Sequence, residues 1–174
     1  MKKSVVIAVC AVLTAFVSSC AQRTENTGNI VFTVNGEPVL QEKWDTYSSL
    51  RKESNPYITD DEIMDSYVRQ MVTVQEAQKR GITASDAEID ALIESSFAVL
   101  EQDAAALAAV QDYVDKYGMT MDEYKEQSRE TYEQAVLGDK LHAELDAEAV
   151  SSGTLPENYY EDYIDNLVET AVVE

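Results

Sequence analysis

The chain has 174 residues, and 33 acidic residues against 13 basic ones give it a formal net charge of −20 at pH 7. This charge argues against nucleic acid as a partner, because binding a polyanion depends on Lys and Arg displacing counterions. It also disfavours contact of the body with anionic lipid headgroups. The simplest interpretation of the charge is a solvated surface that aids solubility. The alternative interpretation is that the protein binds cationic or unfolded polypeptide.

The first twenty residues have the order of an export signal. Lys2 and Lys3 precede an apolar run over residues 4–17, and small residues lead to Cys20. A helix over that run would be about 21 Å long, shorter than the roughly 30 Å hydrocarbon layer, so a cleavable signal is favoured over a permanent span. Loss of residues 1–19 would leave 155 of the 174 residues and change the net charge from −20 to −22.

The four residues that end at Cys20, Val-Ser-Ser-Cys, resemble the lipobox of bacterial lipoproteins. The resemblance implies that the Cys20 thiol carries diacylglycerol and that the protein is anchored in the cell membrane, facing outside the cytoplasm. Two acyl chains make such anchoring stable. The alternative is an ordinary signal peptide with a cysteine nearby. Because Cys10 would leave with the signal, the mature chain would keep no free thiol for disulfides or thiol catalysis.

Residues 20–29 are polar and predict a lipidated tether, of which nine residues reach about 30 Å when extended. Residues 30–40, IVFTVNGEPVL, predict a β-hairpin, because Asn35-Gly36 tolerates the positive φ angles of a two-residue turn. Pro38 cannot donate a ladder hydrogen bond, so its strand is expected to be short or at an edge. Residues 171–173 predict a further strand that pairs with the hairpin.

The remaining sequence is predicted to be helical, which makes the fold class mainly α with a small β-hairpin or a three-stranded mini-sheet. Apolar residues recur at helical spacing in every segment. The predicted helices cover about residues 41–53, 60–80, 86–101, 103–117 and 121–147, and a last helix begins at Pro156.

Four of these helices are preceded by a capping box. In this motif a Ser or Thr side chain accepts a hydrogen bond from the backbone three residues later, and a Glu there reaches back. Four repetitions ahead of four periodic segments are difficult to assign to chance. The boxes are Thr59/Glu62, Ser85/Glu88, Thr120/Glu123 and Thr154/Glu157.

Three stretches resemble the N-terminal chaperone domain of the SurA/PrsA group of extracytoplasmic foldases: residues 34–38 (VNGEP), 76–90 and 118–124. A weaker likeness to the closing helix and strand of such proteins covers residues 160–173. The resemblance implies a multi-helix SurA N-terminal-like domain over residues 30–150. It further implies that residues 151–174 form a C-terminal helix and strand that pack back on this domain.

No enzymatic function is expected, and neither catalytic residues, metal site nor cofactor is predicted. Family members commonly carry a parvulin-type prolyl isomerase domain, but the polar break over residues 148–153 has no room for a module of about 100 residues. His142 is the only histidine and is predicted to lie on the surface. Acidic runs such as residues 60–62 lack the spaced ligands and glycine of a calcium loop and are interpreted as helix N-terminal charges.

The resemblance implies a membrane-anchored chaperone-like lipoprotein that binds exported or unfolded polypeptides without catalysis. The alternatives are a lipoprotein with one specific envelope partner and a protein related to prolyl isomerases. Aromatic and methionine side chains suit a site that accepts many sequences, but they also fill cores. Six such residues are candidate client contacts. For Tyr159, Tyr160 and Tyr163, exposure in a groove is about as expected as burial. For Trp44, Tyr67 and Met71, packing in the core is favoured.

Overall fold

The computed structural model describes residues 28–153 and 158–174. Over these ranges the fold is mainly α with one small hairpin, as the sequence predicts. The signal segment, Cys20, most of the tether, Pro156 and the Thr154/Glu157 box lie outside the described residues. The elements are β1 Ile30–Val34, β2 Glu37–Leu40, α1 Gln41–Ser54, α2 Asp60–Lys79, α3 Asp86–Leu100, α4 Ala104–Tyr117, α5 Met121–Gln127, α6 Arg129–Ser152 and α7 Tyr159–Thr170.

The hairpin turns at Asn35 and Gly36, whose φ angles of 52° and 80° are those of the predicted two-residue turn. β1 and β2 are antiparallel, with Val34 opposite Glu37. The end of the chain pairs with the other edge of β1: the Thr33 N–H donates to the Glu174 carbonyl at 2.7 Å. An antiparallel bridge also joins Val34 to Val173. The predicted pairing of residues 171–173 with the hairpin is therefore present as an isolated bridge, while the sheet itself has two strands over the described residues.

Three of the predicted capping boxes are formed. Thr59, Ser85 and Thr120 each accept a hydrogen bond from the backbone three residues later, and the Glu at that position reaches back to the cap. These contacts satisfy N–H groups that the first turn of a helix leaves without partners. The starts of α2, α3 and α5 thus follow from local sequence chemistry.

The predicted single helix over residues 121–147 is instead two helices, α5 and α6, which meet at Ser128. The Ser128 hydroxyl donates to the Tyr124 carbonyl at 2.8 Å at this junction, and Ser66 makes the same kind of bond within the unbroken α2. The buried residues of α6 are Val136, Leu137, Leu141, Leu145 and Ala149.

Two apolar cores share α6. The main core joins the hairpin, α2, α6 and α7, and Leu141, Leu145 and Ile164 are completely buried in it. The second core joins α3 to α6 through Ile93, Phe97 and their neighbours. α2 packs against α6, α7 and α1, which makes it a central helix of the fold.

Candidate functional site

An open groove of about 480 Å³ lies between α1, the end of the hairpin, α2 and the α5–α6 junction. α2 supplies an apolar floor of Tyr67, Met71 and Val74, and α1 supplies Tyr47 and Leu50 along one wall. The opposite wall is polar. It consists of Gln127, Glu130, Thr131 and Gln134.

Aromatic rings hold the floor of the groove in place. The Tyr67 ring lies 4.9 Å from the Tyr47 ring and 5.7 Å from the Trp44 ring, with both contacts edge to face. Trp44 in turn contacts the buried Phe32 ring at 5.3 Å. Edge-to-face pairs align the positive ring edge with the negative ring face, which stabilises their geometry. Trp44 therefore supports the groove from behind, while Tyr67 and Met71 line it.

Burial raises the pKa of Tyr67 above its ordinary value, and nearby Glu130 and Glu37 add to the increase. Burial likewise raises the pKa of Tyr47, against an opposing effect from Arg51. Both phenol groups therefore stay neutral at physiological pH. They present an apolar ring together with an uncharged hydroxyl.

Charged and amide side chains connect the walls of the groove. The Lys43 ammonium of α1 lies 2.5 Å from the Glu130 carboxylate of α6, and this ion pair spans the groove. The Gln70 amide donates to the Gln134 amide oxygen at 2.5 Å and ties α2 to α6. Glu42, in the first turn of α1, adds a further carboxylate to the lining.

The other three candidate contacts lie on α7 and do not line this groove. The Tyr163 hydroxyl donates to the Glu76 carboxylate at 2.7 Å and accepts from Arg80 at 3.0 Å. The Tyr160 ring stacks on His142, with centroids 4.1 Å apart. Tyr159 is half-buried against the main core. The structure thus brings Trp44, Tyr67 and Met71 together and places the three tyrosines where α7 meets α2 and α6.

The contact of α7 with α2 is organised around the buried Glu76, whose side chain is only 6% exposed. Its carboxylate accepts from Arg80 at 2.8 Å and pairs with Lys79 at 3.1 Å. Burial acts to raise the pKa of Glu76, but hydrogen bonds from Tyr163, Arg80 and Lys79 outweigh it and hold this pKa below its ordinary value. Glu76 is therefore ionised at neutral pH and belongs to the helix-packing network.

The groove offers apolar contact area and amide hydrogen-bonding groups. Across residues 28–153 and 158–174, no three His, Cys, Asp or Glu side chains lie close enough to hold a metal ion. No helix in that part of the chain has the length and apolar character needed to cross a membrane. His142 is exposed on α6, as predicted, and lies 3.7 Å from Asp146. The arrangement suits reversible, non-covalent binding.

The sequence model of the SurA-like N-terminal domain family matches residues 1–138. The chain belongs to this family. Comparisons with curated proteins and with solved structures gave no match. SurA-like N-terminal domains are chaperone-type modules of extracytoplasmic proteins, so membership supports a chaperone-like role outside the cytoplasm. Every residue that lines the groove falls within the matched range, whereas α7 and the final pairing segment lie beyond it.

Part of this groove could be predicted from the sequence, and the rest could not. The helical spacing of Trp44, Tyr47 and Leu50 predicts one shared face of the first helix, and the latter two line the groove. Glu130 and Gln134 were missed because polar residues on a long helix carry no local sign of what they face. Only the packing of α6 against α2 brings them to the site.

Proposed function

We propose that this protein is a membrane-tethered, chaperone-like module that binds exported or unfolded polypeptides without catalysis. The observation that carries the proposal is the open groove with an apolar floor of Tyr67 and Met71. Concave apolar surface that stays open to solvent is typical of binding sites, since exposed apolar area is costly unless a partner covers it.

The chemistry of the groove suits extended, variable client segments. Its volume of about 480 Å³ is in the range of small-ligand sites, so it accommodates a few side chains and not a folded domain. Met71 adapts its shape to different partners. Gln70 and Gln134 carry amide groups that can donate to and accept from a client backbone. Apolar contact with backbone hydrogen bonding requires no particular client sequence.

Client contact by Tyr159, Tyr160 and Tyr163 stays a prediction. Their rings are half-buried, and Tyr163 is engaged by Glu76 and Arg80. Binding a client there would require giving up contacts that hold α7. The groove at Tyr67 and Met71 is therefore the better-supported surface.

Lipid on Cys20 is the proposed anchor, and it rests on the lipobox resemblance. The wild-type protein is expected to incorporate a clickable palmitate analogue in cells and to sediment with membranes. Cys20→Ser is expected to abolish the labelling, because it removes the lipobox thiol that would carry the lipid. Gel fluorescence and membrane fractionation measure the two properties. A wild-type protein that takes up no label would contradict the anchor without affecting the groove.

Leu50→Glu tests the binding surface. Leu50 lines the groove and is 50% exposed, so the substitution places a charge at the site while leaving the core intact. The purified body from residue 21 onward is expected to suppress aggregation of a chemically denatured client diluted into buffer without ATP. Leu50→Glu is expected to require about tenfold more protein for the same suppression, measured by light scattering.

The matched control is Val99→Glu, the same chemical change at a residue that is 67% exposed on α3 and outside the groove. It is expected to behave as the wild type does. Equal loss in both variants would show that added charge, and not the groove, causes the effect. A wild-type body that leaves aggregation unchanged at several-fold excess would refute chaperone-like binding.

A further inference from the structure

The ion pair between Lys43 and Glu130 crosses the proposed client groove. Lys43 belongs to the α1 wall and Glu130 to the α6 wall, with their charged atoms 2.5 Å apart. Both residues line the groove together with Tyr67 and Met71 of the floor. A client that binds to this floor would therefore contact the ion pair directly.

The ion pair between Lys43 and Glu130 can be broken at little cost in free energy. Lys43 and Glu130 are 49% and 59% exposed, and half-exposed ion pairs contribute little because water solvates the separated charges almost as well. The groove lining also carries Glu37 and Glu42, whereas Lys43 is the only cation that lines it among residues 28–153 and 158–174. Arg51 lies over the Tyr47 ring at 6.0 Å, towards the far end of α1. Separation of Lys43 from Glu130 would leave the carboxylates of Glu37, Glu42 and Glu130 available to a client beside the apolar floor.

We propose that Lys43 occupies the place of a client cation, and that the groove prefers extended segments in which an aromatic or branched apolar residue is flanked by Lys or Arg. The apolar side chain packs on Tyr67 and Met71, and the client cation replaces Lys43 on Glu130. The inference rests on the proposed client-binding function and specifies which clients that function favours.

Charge argues against the other occupants of the groove. A second copy of the chain, with a net charge of −20, would be repelled by the first. Anionic headgroups would be repelled for the same reason. A cationic segment is instead attracted by the whole field of the protein, which accelerates its association. The field and the acidic rim thus favour one class of partner, a basic and apolar polypeptide segment.

Three fluorescent peptides of equal length test this preference. Each carries one central Phe-Leu pair, flanked on both sides by Lys, by Gln or by Glu. Fluorescence anisotropy with the purified body from residue 21 onward is expected to show the Lys-flanked peptide binding about tenfold more tightly than the Gln-flanked one, and the Glu-flanked peptide most weakly. The difference between the Lys and Gln peptides is expected to shrink as salt rises.

Two variants then test the place of Lys43. Lys43→Met is expected to strengthen binding of the Lys-flanked peptide about threefold, because Glu130 no longer has an internal partner. Glu130→Gln is expected to weaken it by a similar factor. Lys116→Met and Glu101→Gln make the same charge changes at residues outside the groove and serve as controls. Circular dichroism checks that each variant is folded.

The outcomes separate the inference from the function on which it rests. If all three peptides bind equally, client binding stands and the cation preference is refuted. If Lys43→Met weakens binding of the Lys-flanked peptide or changes it no more than Lys116→Met does, the place assigned to Lys43 is refuted. If none of the peptides binds to the folded wild-type body, the proposed function falls and the inference falls with it.

Discussion

Replacement of Ile164 by alanine is expected to lower the free energy of unfolding by about 3 kcal/mol. Ile164 lies in α7, is completely buried, and belongs to the main core together with Leu141 and Leu145. The substitution removes buried methyl and methylene groups and leaves a cavity that close-packed neighbours fill only in part. Urea unfolding of the body from residue 21 onward, followed by circular dichroism, measures the change.

Two further variants calibrate this result. Ile164→Val removes one methylene group and is expected to cost about 1 kcal/mol. Val150→Ala shortens an exposed side chain on α6 and is expected to change stability by no more than about 0.5 kcal/mol. If Ile164→Ala were as mild as Val150→Ala, α7 would not be part of the cooperative core.

Replacement of Arg80 by methionine is expected to cost about 3 kcal/mol at neutral pH. The Arg80 guanidinium contacts Glu76 at 2.8 Å and Glu148 of α6 at 2.8 Å, and it donates to Tyr163 of α7 at 3.0 Å. The substitution leaves the buried Glu76 carboxylate without its main cation, which is the costly way to break a buried pair. The loss is measured by urea unfolding.

This loss is expected to depend on pH. Because the folded-state pKa of Glu76 lies below its ordinary value of 4.5, its ionised form stabilises the fold above that value, and this contribution is lost as the pH falls through the folded-state pKa. In Arg80→Met, burial acts with fewer opposing hydrogen bonds, so the pKa of Glu76 rises. The penalty is therefore greatest near neutral pH and decreases on acidification towards about pH 4.

Lys79→Met is the matched control for Arg80. Lys79 contacts the same carboxylate at 3.1 Å, but its side chain is 77% exposed. Water replaces such a partner readily, so the expected cost is below about 1 kcal/mol and nearly independent of pH. Equal costs for the two variants would show that attraction to Glu76 alone, and not the buried position of Arg80, determines the effect.

The sequence predicted elements whose causes are local. The starts of α2, α3 and α5 depend on side chains three residues apart, and the hairpin turn depends on Asn35-Gly36, so each was predictable without knowledge of the fold. The break at Ser128 was not, because Ser66 makes the same kind of hydroxyl-to-carbonyl bond within the unbroken α2, so a serine of this type does not by itself mark a helix end. Tyr159, Tyr160 and Tyr163 were candidates from the sequence, but their partners on α2 and α6 depend on tertiary packing.

The groove, like the fold, was only partly predictable from the sequence. Its α1 side could be read from the spacing of Tyr47 and Leu50, and Tyr67 and Met71 were candidates on chemical grounds. The ion pair of Lys43 with Glu130 joins residues 87 positions apart, and nothing in either local sequence indicates the other. Long-range polar contacts of this kind follow from helix packing and require the folded chain.

The pairing of β1 with the end of the chain has a consequence for the order of folding. The Val172 N–H donates to the Asn35 side chain across 137 positions, a loop whose closure is entropically costly and slow. Local helices therefore form first, and until α7 docks, the cavity that Ile164 fills stays open to solvent. An incompletely folded molecule in this state exposes apolar surface and is therefore prone to aggregate.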